Sequence, residues 1–219
     1  FLGFSSAGIP FGMTITFLFV SPMVNEAAIL VLFGVLGWKI TALYVLGGVS
    51  IGILGGYTLT KLNFERFVMD FEFGETSSSK EKLTRKLRAK RAFKEAKDII
   101  KQVMPYVLIG VGIGALVHGF VPQNVINDYL TGSLAVPGAV IVGIPIYTNI
   151  MGVIPVVESL IGKGLPIGTS IAFMMSVAAL SLPQFIMLKK VMKKELITAY
   201  ATTIGIGILI LGLIFNLIF

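Results

Sequence analysis

The sequence predicts an all-α, polytopic membrane protein: an inverted repeat with broken helices and a re-entrant hairpin. Three observations carry that expectation. The chain is 55% hydrophobic and only 13% charged, too little charge to clothe a soluble domain of 219 residues. Most of the charges fall in one block, 63–101, with long apolar stretches on either side. Finally, GIPFGMTITF (Gly8–Phe17) aligns without gaps on GLPIGTSIAF (Gly164–Phe173), with Gly8/Gly164, Pro10/Pro166, Gly12/Gly168, Ile15/Ile171 and Phe17/Phe173 identical. At the same offset Leu32/Leu188, Val35/Val191, Tyr44/Tyr200 and Gly56/Gly212 also coincide. Two copies of a broken-helix unit are the usual build of secondary transporters.

In chain order, Phe1–Ala7 reads as the end of an apolar element and Gly8–Gly12 as a Gly/Pro turn. The first broken segment follows, to about Leu36. It is apolar, yet its middle carries Ser21, Pro22, Asn25 and Glu26. Pro22 removes a backbone donor, and an amide and a carboxylate at membrane depth need a protein interior or a wet cavity. Either these residues cap a kink, or they line a solute site. Gly37-Trp38-Lys39 reads as a short interfacial loop, and Ile40–Leu62 as a spanning helix. Along that helix Gly48, Gly52 and Gly56 recur at every fourth residue, the spacing that lets another helix approach closely.

The block 63–101 reads as a basic loop with a flexible tip at Ser77-Ser78-Ser79 and a helical stretch over Lys80–Lys101. Met104–Val121 is a further span in which His118 reads as a packing or interfacial residue in preference to a proton relay, and 122–132 as a loop. Ser133–Lys163 reads as two apolar arms of roughly 12 residues, each too short to cross a bilayer that needs ~20. They flank a tip that contains Tyr147, Thr148 and Asn149. The second broken segment, Gly164–Lys190, is interrupted at Ser181-Leu182-Pro183-Gln184, and Glu195–Phe219 is the last span. The expected organisation is a first membrane repeat over 1–62, a cytoplasmic loop over 63–101 and a second membrane repeat over 102–219. Because the first residue is Phe1 and no signal-peptide pattern is present, an N-terminal part is expected to precede it.

Net charge of +7 is here a signal of orientation rather than of nucleic-acid binding. Basic residues in 63–101 and at Lys189, Lys190, Lys193 and Lys194 place both stretches in the cytoplasm. The loop at 37–39 then lies outside, although it aligns with the end of the lysine cluster, so the two copies are expected to be inverted. Parity closes if the arms around Tyr147–Asn149 enter and leave on one side. With no Cys and a single His, the chain offers no disulfide, thiolate or His cluster. No cofactor, metal site or catalytic residue is expected.

The stretches GFSSAGIPFG, SPMVNEAAILVLFGVLGWKITALYVLGG and GIPIYTNIMGVIPVVESLIGKGLPIGTSIAFMMSVAALSLPQFIMLKK resemble the ArsP/YraQ-like predicted permease family. The resemblance covers nearly everything outside 63–101. It implies a multi-pass permease of the cell membrane, some relatives of which export trivalent organoarsenicals. The family carries a Cys-bearing motif just before the position of Phe1, and this chain has no Cys. It also often has an acid where Gln184 stands, which leaves Glu26 and Glu158 as the intramembrane acids here.

The function these readings point to is a secondary permease that exports or exchanges a small solute through a midplane site. Its candidate residues are Ser21, Asn25, Glu26, Tyr147, Thr148, Asn149, Ser181 and Gln184. Glu26 would bind a proton or a cationic group, and the hydroxyls and amides would hydrogen-bond the solute. Expected partners are the solute, protons and the lipid bilayer, with assembly into a homo-oligomer left open, and no nucleic acid. Two other classes compete. A membrane subunit of a larger assembly would dock through Lys80–Lys101. An intramembrane enzyme acting on a lipid-linked substrate would want Arg beside phosphate, and no Arg lies outside 63–101.

Overall fold

The computed structural model describes residues 3–4, 8–69, 93, 97, 134–146, 153, 156–158, 161–162, 164–189 and 191–219. The greater part of the basic block, His118, the 122–132 loop and the Tyr147–Asn149 tip lie outside them. All the regular elements among the described residues are helices: α1 (Phe11–Met23), α2 (Glu26–Lys61), a 3-10 turn (Phe64–Phe67), α3 (Ala135–Gly143), α4 (Ile167–Ala179), α5 (Leu182–Leu188) and α6 (Lys194–Ile218).

The two aligned stretches fold alike, residue for residue. Gly8 and Gly164 each take a positive φ, 74° and 89°, where only glycine sits without a steric penalty. Pro10 and Pro166 follow at helix N-caps with nearly identical angles (φ −53°, ψ 141° and φ −57°, ψ 140°). Each accepts the amide of the fourth residue on, Thr14 at 3.2 Å and Ser170 at 3.1 Å. The helices they start, α1 and α4, are both 13 residues long. Both breaks fall at aligned positions, Val24-Asn25 and Leu180-Ser181, and the chain turns helical again at the aligned Glu26 and Leu182.

Two sequence boundaries move. Pro22 does not end α1, which runs one residue further to Met23. Gly37-Trp38-Lys39 is not a loop: Gly37 alone leaves helical geometry, at φ 80° and ψ 173°, a region that essentially only glycine enters. Its counterpart Lys193 is extended (φ −69°, ψ 161°) and caps α6. The second unit is interrupted over a longer stretch. Whereas the chain stays helical from Glu26 up to Gly37, α5 stops at Leu188. The residues after it pair with the segment beyond α2 in an antiparallel β-bridge between Val68 and Met192. Met69 N donates to Val191 O and Lys193 N to Phe67 O, both at 2.9 Å.

Small residues set the packing. A side chain at Gly48, Gly52 or Gly56 would strike Val24, Val20 or Thr16 respectively, so α1 lies close along the second half of α2 and antiparallel to it. The neighbouring face of α2 meets α6. There Gly47 faces Leu211, Ile51 faces Gly207 and Gly55 faces Thr203. As the α2 numbers rise the α6 numbers fall, so these two helices are antiparallel as well. The core gathers Ile15, Phe19, Met23, Tyr44, Ile171, Met175, Tyr200, Ile204, Ile208 and Phe215, all buried.

α3 has 9 residues, about 13 Å at 1.5 Å per residue, too short to cross. It lies against α4, where Ser176 Oγ donates to Val140 O at 2.7 Å. Leu182 N, at the start of α5, donates to Ile144 O at 3.2 Å. This cover makes α4 nearly wholly buried, with Thr169 at 0% exposure and Phe173 at 3%. On α1 the counterparts Met13 and Phe17 are 60% and 48% exposed. Among the described residues three helical segments are long and apolar enough to cross a membrane: Ala28–Lys61, Ile167–Leu188 and Lys194–Ile218. The fold is that of an all-α membrane protein.

Candidate functional site

The last turns of α1 and α4 end in the interior, where their carbonyls need partners. Both use the same two devices. The first residue of each break bonds back into the helix, Val24 N to Val20 O and Leu180 N to Ser176 O, both at 2.8 Å. A buried tyrosine 21 residues further on then covers the end. Tyr44 OH donates to Met23 O, and Tyr200 OH lies 3.5 Å from Ala179 O. Tyr200 also stacks on Phe19 of the first unit, with ring centroids 5.0 Å apart.

The second unit adds Gln184. With its amide nitrogen turned to the helix end, Gln184 donates to Ala178 O (3.1 Å) and Ala179 O (3.3 Å), while its oxygen accepts from Tyr200 OH at 2.8 Å. The residue aligned with Gln184 in the first unit is Ala28, which has nothing to donate.

Between the two helix ends lies an open cavity of about 390 Å³. Phe17, Leu18, Ser21 and Pro22 of α1 form one wall. Val177 and Ala178 of α4, Ser181 in the break, and Gln184, Met187 and Leu188 of α5 form the other. Ser21 aligns with Val177 and Pro22 with Ala178, so both units present the same turn to this space. Among the described residues no charged residue lines it. A second, much smaller space of about 10 Å³ is lined by Val31, Leu32 and Met174 together with Val157, Glu158 and Ile161.

The structure thus brings Ser21, Ser181 and Gln184 together. Ser181 is buried at the N-cap of α5. Asn25 occupies the first break, half-buried, and Glu26 is exposed on the first turn of α2, where the helix dipole favours a carboxylate. Neither of those two lines the cavity. Tyr147, Thr148 and Asn149 lie outside the described residues. Sequence reasoning did not single out Phe17, Leu18, Val177, Ala178, Met187 and Leu188 as walls, because their chemistry is that of any membrane-helix core. It also missed the closing role of Tyr44 and Tyr200, although their coincidence in the alignment was a usable signal. Among the described residues no group of three or more His, Cys, Asp or Glu could hold a metal ion.

Comparison with known proteins fits this architecture. A UPF0718 protein of Methanocaldococcus jannaschii is 25% identical over 131 residues, which is 59% of this chain and 36% of that protein. The match therefore spans about a third of the length of the curated relative. No solved structure matches the chain. The ArsP_1 family, described as a predicted permease, matches residues 1–217; the chain belongs to that family, and it is a helical membrane protein.

Proposed function

We propose that the chain forms the transport core of a multi-pass secondary permease of the plasma membrane, which exports or exchanges a small solute through the cavity between α1 and α4–α5. The observation that carries this reading is the cavity itself. It lies where two broken helices end, both units contribute the same turn to it, and it holds Ser21, Ser181 and Gln184. Irregular backbone at membrane depth is tolerated where it lines such a space.

The contact register supports inverted repeats. Exchanging the two units turns the Gly47–Leu211 contact into the Thr203–Gly55 contact and leaves Ile51–Gly207 unchanged. A two-fold axis through that crossing relates antiparallel helices, so it lies across them, in the membrane plane. The first membrane unit ends near Leu62 and the second comprises the residues beyond the basic block.

The test is labelling of Ser21→Cys with a membrane-impermeant maleimide, in a chain that has no other cysteine. In sealed vesicles of known orientation the thiol should react from both faces. Reaction from a single face under every condition would contradict a permease working through this cavity.

A further inference from the structure

The polar groups of the cavity are of one kind. Ser181 is 2% exposed and stands at the N-cap of α5, yet its hydroxyl makes no capping bond. The work a cap would do falls to its backbone, whose carbonyl accepts Gln184 N at 3.0 Å and Phe185 N at 3.3 Å. Among the described residues the Ser181 hydroxyl has no hydrogen-bond partner, and Ser181 is one of the residues that line the cavity. A buried hydroxyl left unpaired is costly, and native structures rarely leave one so.

Ser21 of α1 is a second hydroxyl-bearing residue in the lining. Next to it, Pro22 has no N–H to give the Leu18 carbonyl, the acceptor one turn back. The Gln184 amide is already committed to Ala178, Ala179 and Tyr200. The rest of the described wall is apolar, and among the described residues no charged side chain lines the space. An ion would therefore enter without a counter-charge, which a low-dielectric site penalises heavily. A neutral molecule would gain both the apolar contact and a partner for the orphaned hydroxyl. The volume lies within the roughly 300–1,000 Å³ range of small-molecule pockets.

We propose that the cavity selects an uncharged, partly apolar solute carrying a hydroxyl or N–H group, and that the Ser181 hydroxyl is the group that recognises it. This rests on the cavity being the transport site. It turns away from the sequence-based role for Glu26 with a cationic solute, since that carboxylate does not line the space.

The experiment is protection of a reporter thiol on the full chain in liposomes. Met187→Cys supplies the thiol in the cavity wall, and Glu65→Cys, exposed on the turn beyond α2, supplies one away from it. Labelling is followed with benzyl alcohol, benzoate or benzylammonium present at matched concentration. Benzyl alcohol should slow labelling at position 187 about threefold at twice its Kd and leave position 65 unchanged; the two ions should protect neither. Adding Ser181→Ala should raise the benzyl alcohol concentration needed by roughly fivefold, the size of one hydrogen bond. Ser181→Thr, which keeps the hydroxyl, should restore it, and that rescue separates recognition from misfolding. Protection by an ion equal to that by the alcohol, no protection by the alcohol, or undiminished protection in Ser181→Ala would each overturn the proposal. Two-sided labelling of Ser21→Cys is read independently, so failure of the solute class and failure of the permease reading are told apart.

Discussion

Tyr44 and Tyr200 occupy matching places in the two units, and each sets its hydroxyl against the carbonyl that ends a broken helix, Met23 O for the one and Ala179 O for the other. Both are buried, so neither carbonyl has water as an alternative. The difference is Gln184, whose amide donates to Ala178 O and Ala179 O while its oxygen accepts the Tyr200 hydroxyl proton, whereas Tyr44 donates to Met23 O directly.

Removing the two hydroxyls should therefore have unequal effects. Tyr44→Phe leaves Met23 O unpaired in the interior, at a cost of ~1–3 kcal/mol. Tyr200→Phe should cost less, because Gln184 still serves Ala178 O and Ala179 O. Thermal unfolding of the detergent-solubilised protein checks the order. Equal losses would mean that the tyrosines act through packing alone.

The glycines make a second, sharper contrast. A methyl group at Gly168 would meet the backbone carbonyl of Gly212 and the backbone nitrogen of Asn216. Neither can yield without moving a helix, so Gly168→Ala should lose ~1–3 kcal/mol. Gly205 has open space where its Cβ would be. There Gly205→Ala should be neutral or gain ~0.5–1 kcal/mol from helix propensity. Unfolding midpoints of the pair give the comparison.

Asn216 reaches from α6 to the start of α4. Its Oδ1 accepts Thr169 N at 3.1 Å and its Nδ2 donates to Thr169 Oγ1 at 3.0 Å. It thus satisfies a first-turn amide that Pro166, at the N-cap, cannot. Asn216→Ala should destabilise by about 1 kcal/mol, the usual loss for a helix cap. Hydrogen exchange should speed up first at the amide of Thr169.

The bridge between Val68 and Met192 gives a test of orientation. Its hydrogen bonds run between the flanking residues, so 68 and 192 form the closely spaced kind of antiparallel pair. Val68→Cys with Met192→Cys should oxidise readily to a disulfide, seen as a gel shift that a reductant reverses. Single cysteines at Ser78 and Lys193 should label from the cytoplasmic face and one at Gln123 from the opposite face, as the basic residues imply. Ser78 and Gln123 reacting from one side would refute that topology.

Much of the fold was legible because the repeat carries it in residue types with few conformational alternatives. Gly8/Gly164 and Pro10/Pro166 fix two helix starts, and the Gly48–Gly52–Gly56 stripe marks the face against which α1 lies. Local sequence is weaker where distant contacts decide. The residues after Leu188 leave helical geometry because Phe67–Met69 takes up their backbone groups, a pairing across a long stretch of chain. Pro22 reads as a stop, yet the helix tolerates it for one more residue. Of the site, the polar members Ser21, Ser181 and Gln184 stood out against an apolar background, whereas Phe17 and Met187 could not, since a cavity wall and a packed core use the same side chains. Asn25 and Glu26 belong to the same sequence motif as Ser21, but the break at Val24 turns the chain before it reaches them.

The crossing of α2 and α6 at Ile51 and Gly207 has the form of an isologous dimer interface, each side meeting the other's copy of the same patch. Each unit therefore carries its own half of the surface that joins it to the other. The joint then rests on this patch and on the Val68–Met192 pairing, not on the peptide link between Ser79 and Lys80. A chain severed between Ser79 and Lys80 and produced as two polypeptides should reassemble in the bilayer and copurify, and Gly207→Leu, which fills the self-facing point of the patch, should separate the pieces while the intact chain holds them by proximity.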